Sequence, residues 1–454
     1  MSLTFDTDGV LGSTIAILDT LKARGVRATF GVTGEFAERY PSAVRRMIAE
    51  GHQIVNHSYD HPYFTQISQA ELWNQLDRTE AIFRSLGFDS AGWARPPYGA
   101  RSSSVDADLA RAGYSIDILW DIDPQGYLGP SVPDLVQRVI TGAHDGAIVI
   151  MHVFNTSTDA AALPQVIDEL QARGYALVPA GDAAVRGAIR GTWVATGASH
   201  GLLGWPLTVE LGTPDGVGRY NHFQRGSVYW TPWTGAHEIH GAIRAKWSGL
   251  GWETSFLGYP LTNETTTPDT IGRYNHFQGG SVYWSPATGA WEVHGGIRAK
   301  WAALGWERGF LRYPVTDETR TPDTIGRYNH FQGGSVYWSA ATGAWEVHGA
   351  IRAKWAALGW ERGFLRYPIS DELTVTGGRA SRFQGGNVYW SSATGAREVH
   401  GAILTRYLQL GATASALGFP VTDEYSISTG RQSDFQHGSI LWNATTGATT
   451  VIYS

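Results

Sequence analysis

The sequence predicts an α/β domain built on a mainly parallel sheet, followed by a tandem-repeat domain. Three observations carry this reading. Short β-like runs alternate with helical stretches up to about residue 180, a set of phrases returns roughly every 52 to 54 residues from about residue 187, and 454 residues exceed what one ordinary core accommodates. Strands that alternate with helices imply βα units around a barrel or an open sheet.

In chain order, "GSTIAILDTLKARGV" reads as helix, "RATFGV" as strand, "PSAVRRMIAEG" as helix and "HQIVNH" as strand. The helices "QAELWNQLDRTEAIFRSLG" and "SVDADLARAG" follow, then the strand "YSIDIL" and the helix "VPDLVQRVITGA". The strand "GAIVIMH" and the helix "ALPQVIDELQARG" complete this half before "YALVP". Ligands of such folds meet the carboxyl ends of strands, where Asp6, Asp8, His57 and His152 fall.

The second half repeats "GRYNHFQ", "GSVYW", "TGAWEVHG" and a helix ending in a Pro-containing turn. That turn is "LGWP" at Leu203, "LGYP" at Leu257, "LRYP" at Leu311 and Leu365, and "LGFP" at Leu417. A helix opens the array and a hairpin closes it, giving five of each. Such out-of-phase ends are expected to join in a closed ring, as propellers fasten themselves. The domains are read as 1–183 and 187–454, the latter with five units.

A net charge of -6 without any block of lysine or arginine argues against nucleic acid or an anionic membrane as the partner. The absence of cysteine leaves nitrogen and oxygen as the only protein ligands for a metal. No apolar run is long enough to span a membrane. The first residues carry no leader pattern, and Met1 lies so close to Asp6 that an upstream segment outside this chain is expected.

The repeat separates scaffold histidines from candidates. His222, His276 and His330 share one repeat position, which Arg382 and Asp434 take in the last two units, and His240, His294, His348 and His400 share another. Periodic residues are read as structural. The Tyr229/Trp230, Tyr283/Trp284, Tyr337/Trp338 and Tyr389/Trp390 pairs are read as hairpin core rather than as sugar platforms.

His57, His61 and His152 follow no period. "NHSYDHP" sets His57 and His61 at i, i+4, which on a helical turn points both imidazoles the same way. "DTD" sets Asp6 and Asp8 on one strand face, where two carboxylates need a positive charge beside them. A divalent cation held by Asp8, His57 and His61 would supply it and leave open coordination positions, as in a catalytic site. Asp6 is then free to take a proton.

Together these motifs resemble the polysaccharide deacetylases, carbohydrate esterase family four, over about residues 3 to 180. The resemblance implies a distorted (β/α) barrel. "TFDTDG" implies Asp6 as base and Asp8 as metal ligand, although the family's aspartates are usually adjacent and Thr7 intervenes here. "HSYDH" implies metal ligation by His57 and His61. "RPPYG" implies that Arg95 pairs with the base and that the Tyr98 N–H helps to bind the oxyanion. "IMH" implies His152 as general acid. The fourth motif, usually Asp-x-x-Asp-Trp, departs: "DPQGY" puts Gly126 where a carboxylate would tune the acid histidine, with Asp121 or Asp123 as candidate substitutes. Residues 187 to 454 resemble the LGFP repeats of secreted, wall-associated proteins of Gram-positive bacteria.

The expected function is metal-dependent deacetylation of an acetylated polysaccharide, peptidoglycan or a chitin-like N-acetylglucosamine chain, by a monomer located outside the cell or at its wall and attached to wall glycan by the repeats. Zinc is the expected metal, with cobalt, manganese or nickel as others that fit such ligands. The alternatives are an esterase of acetylated xylan and a binding protein with an impaired catalytic domain.

Overall fold

The computed structural model describes residues 1–454, which divide by their contacts into two compact units, Met1–His240 and Gly241–Ser454. Six strands build the sheet of the first unit: β1 (Ser2–Asp6), β2 (Thr29–Val32), β3 (Gln53–Asn56), β4 (Trp93–Ala94), β5 (Ile116–Asp117) and β6 (Ile148–His152). Their order is β5-β4-β3-β2-β1-β6 and every neighbouring pair is parallel. Between them run α1 (Thr14–Ala23), α2 (Gly34–Arg39), α3 (Pro41–Ala49), α4 (Gln69–Ser85), α5 (Ser103–Arg111) and α6 (Val132–Gly142), and α7 (Asp159–Ala172) follows β6.

The sheet curves until the stretch that continues its β5 edge along β4 reaches the opposite edge, β6. The Ile118 N–H donates to Ala94 O of β4 at 2.8 Å, and four residues later the Ile122 N–H donates to Ile148 O of β6 at 3.1 Å. The Ile150 N–H returns a bond to Ile122 O at 3.0 Å. This is a parallel (β/α) half-barrel whose open side the segment after β5 spans, in line with the distorted barrel expected.

Every residue of β1, β2 and β3 is buried, because helices cover the outside of the sheet and the strands have no solvent face to mark with polar residues. Leu3, Phe5, Phe30 and Val149 join Leu18, Leu21, Leu163 and Ile167 in the main core. Serine hydroxyls start three of the helices: Ser68, Ser102 and Ser131 accept from the N–H groups of Glu71, Val105 and Asp134.

The repeats are larger than the hairpins expected. Each is a four-stranded antiparallel sheet preceded by a helix, five times over. The extra outer strands, such as Leu211–Gly212 and Thr265–Thr266, are two or three residues long and largely exposed, so no apolar alternation announced them. The array begins with a helix, Gly187–Ala195, and ends with a strand, Thr449–Tyr453. Closure into a ring remains an expectation of the sequence.

One aromatic side chain per helix is fully buried: Trp193, Trp247, Trp301, Trp355 and Tyr407. Trp193 Nε1 donates to Gly204 O at 2.9 Å, Trp301 Nε1 to Arg312 O at 3.1 Å and Trp355 Nε1 to Arg366 O at 3.0 Å, and in the last unit the Tyr407 hydroxyl does the same to Gly418 O at 2.6 Å. Those carbonyls belong to the recurring turn, whose second residue is left-handed, with φ +75° at Gly204, +59° at Arg312 and +57° at Arg366. The tyrosines of the Tyr-Trp pairs are buried at 3 % exposure, in agreement with a core role. No helix is long and apolar enough to cross a membrane.

Candidate active site

Asp6 ends β1 and stands beside His152 of β6 in register across the sheet. Its side chain is buried, and Gly31 of β2 makes this possible, since a Cβ there would collide with the Asp6 carboxylate. Arg95 is fully buried beside it and donates from Nη1 to Asp6 Oδ1 at 2.7 Å, while its Nε donates to Ile118 O at 3.1 Å. Burial works to raise the Asp6 pKa, but the charges of Arg95, His57 and His152 outweigh it and hold the carboxyl below its usual value. The sequence asked what makes two neighbouring carboxylates tolerable, and for Asp6 the partner present in the structure is this guanidinium.

Asp6 and Asp8 do not share a strand face. The strand stops at Asp6, Thr7 turns inward so that its hydroxyl accepts from the Thr33 N–H at 3.2 Å, and Asp8 lies exposed at the mouth of the cleft. Nor do His57 and His61 lie on a helical turn. Residues 57–61 form a loop with left-handed φ at Ser58 (66°) and His61 (68°), tied by the His61 N–H to the Ser58 hydroxyl at 3.0 Å. The two imidazoles nevertheless converge, Nε2 to Nε2 at 3.1 Å.

The paired nitrogens suit a cation. Two nitrogens bound to one zinc at about 2.0–2.1 Å in a tetrahedron lie about 3.3 Å apart, close to the separation seen. His57 Nδ1 donates to Arg95 O at 2.7 Å, which leaves the Nε2 lone pair facing outward. Burial lowers the His57 pKa, and burial followed by the neighbouring His57 pushes His61 down to about 4, so both rings are neutral ligands at neutral pH. No three His, Asp or Glu side chains are drawn together as a complete ligand set; Asp8, whose charge acts on His61, is the candidate third ligand.

A cleft of about 380 Å³ opens over these groups, lined by Asp6, Asp8, His61, Tyr98, Tyr127 and His152 among others. Tyr98 is left-handed at φ 61° within Pro97–Gly99. The Gly99 and Ala100 N–H groups bond back to Pro96 and Pro97, whereas the Tyr98 N–H has no protein acceptor. The Tyr98 ring stacks on Tyr63, with centroids 3.9 Å apart. His152 stacks on Phe154 and meets the Tyr127 edge, both with centroids at 5.3 Å. A separate depression of about 430 Å³ lined by Asp77, Glu80 and Asp89 holds no converging imidazoles.

Neither Asp121 nor Asp123 takes the place left by Gly126. Asp121 Oδ2 accepts the Ile148 N–H at 2.8 Å, away from the cleft, and Asp123 Oδ1 accepts the Gln125 N–H at 2.8 Å. The carboxylate beside His152 is Asp159 at the start of α7, which the sequence reading missed. Its Oδ2 accepts the His152 backbone N–H at 2.9 Å and lies 3.9 Å from His152 Nδ1.

Strand-end carboxylate, buried arginine, facing imidazoles and a third histidine are the arrangement the sequence motifs anticipate. Residues 1–116 match the family model described as polysaccharide deacetylase, and residues 203–255, 257–309, 311–363, 365–415 and 417–453 match that of the LGFP repeat. The chain belongs to the polysaccharide deacetylase family and carries a C-terminal array of LGFP repeats. It is similar to the peptidoglycan-N-acetylglucosamine deacetylase PgdA of Listeria monocytogenes, 37% identical over 179 residues, which is 39% of this chain and 37% of that protein's length. It is also 33% identical over 191 residues to a chitooligosaccharide deacetylase of Bradyrhizobium sp., covering 39% of this chain and 87% of that one. Among solved structures it is similar to the peptidoglycan deacetylase PdaC of Bacillus subtilis, with 33% identity, 40% of this chain and 88% of that chain covered, and a TM-score of 0.37.

Proposed function

We propose that this chain is a metal-dependent deacetylase that removes acetyl groups from N-acetylglucosamine residues of peptidoglycan or a chitin-like chain, acting outside the cell as a monomer attached to wall glycan by its LGFP repeats. The observation that carries the reading is Asp6, a buried carboxylate held ionised by Arg95, 3.5 Å from one of two facing imidazoles and beside His152 across the sheet. Relatives named as peptidoglycan and chitooligosaccharide deacetylases support the substrate class.

Asp6 takes the proton of the attacking water, and Arg95 keeps it in the form that can. The free Tyr98 N–H donates to the carbonyl oxygen as it gains charge in the tetrahedral state. His152 gives a proton to the nitrogen as the C–N bond breaks, leaving acetate and a free amine. The flat faces of Tyr98, Trp120 and Tyr127 line the cleft and suit the apolar faces of sugar rings. A divalent cation held by Asp8, His57 and His61, zinc or else cobalt, manganese or nickel, would polarise the acetyl carbonyl and lower the pKa of water from about 15.7 towards 7.

The test is acetate release from N-acetylglucosamine oligomers by the whole chain after chelation and again after zinc or cobalt is returned. Release that falls on chelation and returns with metal is expected. Release from acetylated xylan alone would assign an ester bond instead, and no release from either polymer by folded, metal-supplied protein would overturn the reading. Retention of the whole chain on purified cell walls tests the attachment.

A further inference from the structure

We infer that Asp159 is the positioning residue of His152, taking from the start of α7 the role that Gly126 leaves empty. This rests on the deacetylase reading for the role of His152, and on geometry of its own for the pairing.

Three observations meet at Asp159. It is fully buried, and its carboxylate accepts two hydrogen bonds, both at Oδ2, from the His152 backbone N–H at 2.9 Å and the Ser157 hydroxyl at 2.6 Å, while its own N–H donates to the Ser157 hydroxyl oxygen at 3.2 Å. His152 Nδ1 lies 3.9 Å from that same oxygen, a separation that a small rotation of the ring closes to a hydrogen bond, as acid–base contacts tighten when substrate binds. Asp159 Oδ1 has no hydrogen-bond partner at all. A helix-capping role would not require a carboxylate buried in this position with one oxygen unused.

Gly126 is the complement. Its backbone is not in the left-handed region, so nothing about φ calls for glycine. What excludes a side chain is Asp159: a Cβ on Gly126 would collide with both carboxylate oxygens. The Thr158 N–H donates to Gly126 O at 3.1 Å and ties the two loops together. The volume beside His152 therefore holds one carboxylate, and in this chain it arrives from the other loop.

A carboxylate beside Nδ1 fixes the ring orientation and stabilises the imidazolium, the form that donates a proton from its other nitrogen. Burial raises the pKa of Asp159, and Asp123 pushes the same way, while the Ser157 hydroxyl, the His152 N–H and the His152 charge oppose them. The other groups facing His152 are Asp6 from β1, Tyr127 from the loop after β5 and the neutral rings of His57 and His61.

Asp159→Asn keeps the shape and removes the charge. Under the proposal kcat falls about 10- to 100-fold with KM unchanged, and the alkaline limb of the kcat profile moves to lower pH. The double variant Gly126→Asp with Asp159→Gly returns the carboxylate from the opposite loop and recovers most of that loss, which a structural cap would not do. A folded Asp159→Asn with parental kcat and pH profile overturns the pairing, as does a folded double variant no better than Asp159→Asn. Should the parent release no acetate, the deacetylase reading fails by itself, and the pairing is read without substrate from the His152 ring signals by NMR. The pH at which they change is lower in Asp159→Asn under the proposal, and an unchanged value overturns it.

Discussion

Two sets of histidines, the pair beside Asp6 and the His294, His348 and His400 set of the repeats, are handled in opposite ways. His57 and His61 occur once, face one another and have Asp6 as the nearest carboxylate, which is committed to Arg95. Burial wins there, and the rings stay neutral with Nε2 facing Nε2. In the repeats His294 has Glu292 at 2.8 Å on Nδ1 and Glu318 at 3.1 Å on Nε2, and the arrangement returns at His348 and His400. Carboxylates win there: burial works to lower His294, but Glu292 and Glu318 raise it, and His348 and His400 are raised with the Glu346 and Glu398 hydrogen bonds as the largest cause. A carboxylate two residues before the histidine, as in "WEVH" and "REVH", makes a structural latch. Where none stands there, burial keeps the ring neutral, at His57 and His61 and equally at His276 and His330 of the repeats, which are lowered to about 4.

Arginines break the comparison most sharply. Arg95→Met leaves Asp6 buried without its partner, so we expect roughly 3–5 kcal/mol of lost stability and a carboxyl that no longer ionises readily. Acetate release should fall by about 10²-fold or more. Arg327 is its counterpart in the repeats, 46% exposed and 3.6 Å from Glu318, and Arg327→Met should cost under about 1 kcal/mol with release unchanged. Urea unfolding and an acetate assay on both variants check this, and equal costs would mean that burial does not distinguish the two ion pairs.

Much of both regions was legible because the physics was local. Buried strands such as Thr29–Val32 and Ile148–His152 stand out as apolar runs between helices, and the turn at Leu203 repeats its own spelling. What escaped was either too short to show a period or made only by folding. β4 is two residues long, α2 is six and begins at a glycine, and the outer strands of the repeats have no buried face. The motif residues Asp6, Asp8, His61, Tyr98 and His152 line one cleft, while the expected helical turn at His57 does not form because left-handed Ser58 and His61 bend the loop instead. Asp159 looked like an ordinary acidic residue in a first helical turn, and only the neighbouring of two loops reveals its contact with Gly126.

The second test sets core against site. Trp301 is fully buried and closes its unit's turn through Arg312 O, so Trp301→Ala should cost about 3–5 kcal/mol while acetate release per folded molecule stays at the parental value. Trp301→Tyr should cost markedly less, because Tyr407 fills the equivalent position of the last unit and donates from its hydroxyl to the same kind of carbonyl. A Trp301→Tyr variant as unstable as Trp301→Ala would show that ring volume, not the hydrogen bond, holds the unit. Calorimetry with a parallel assay separates the outcomes.

The smallest effect is a difference in sign with pH. His61 and His52 are each lowered to about 4, so the stability that their neutral forms contribute is present above the unfolded value of about 6.5 and is lost as pH falls from there towards 4. His294 is raised, so its contribution is full below about 6.5 and is lost as pH rises through its higher folded value. Glu318, pushed up to about 7 by burial, adds to the same alkaline loss. We therefore expect His294→Gln to be less stable than the parent at pH 6, with a smaller gap at pH 8.5. Tryptophan fluorescence during urea unfolding at the two pH values measures it. A gap that widened with pH would mean that His294 is neutral between its two glutamates, and the distinction between latch and ligand would then rest on geometry alone.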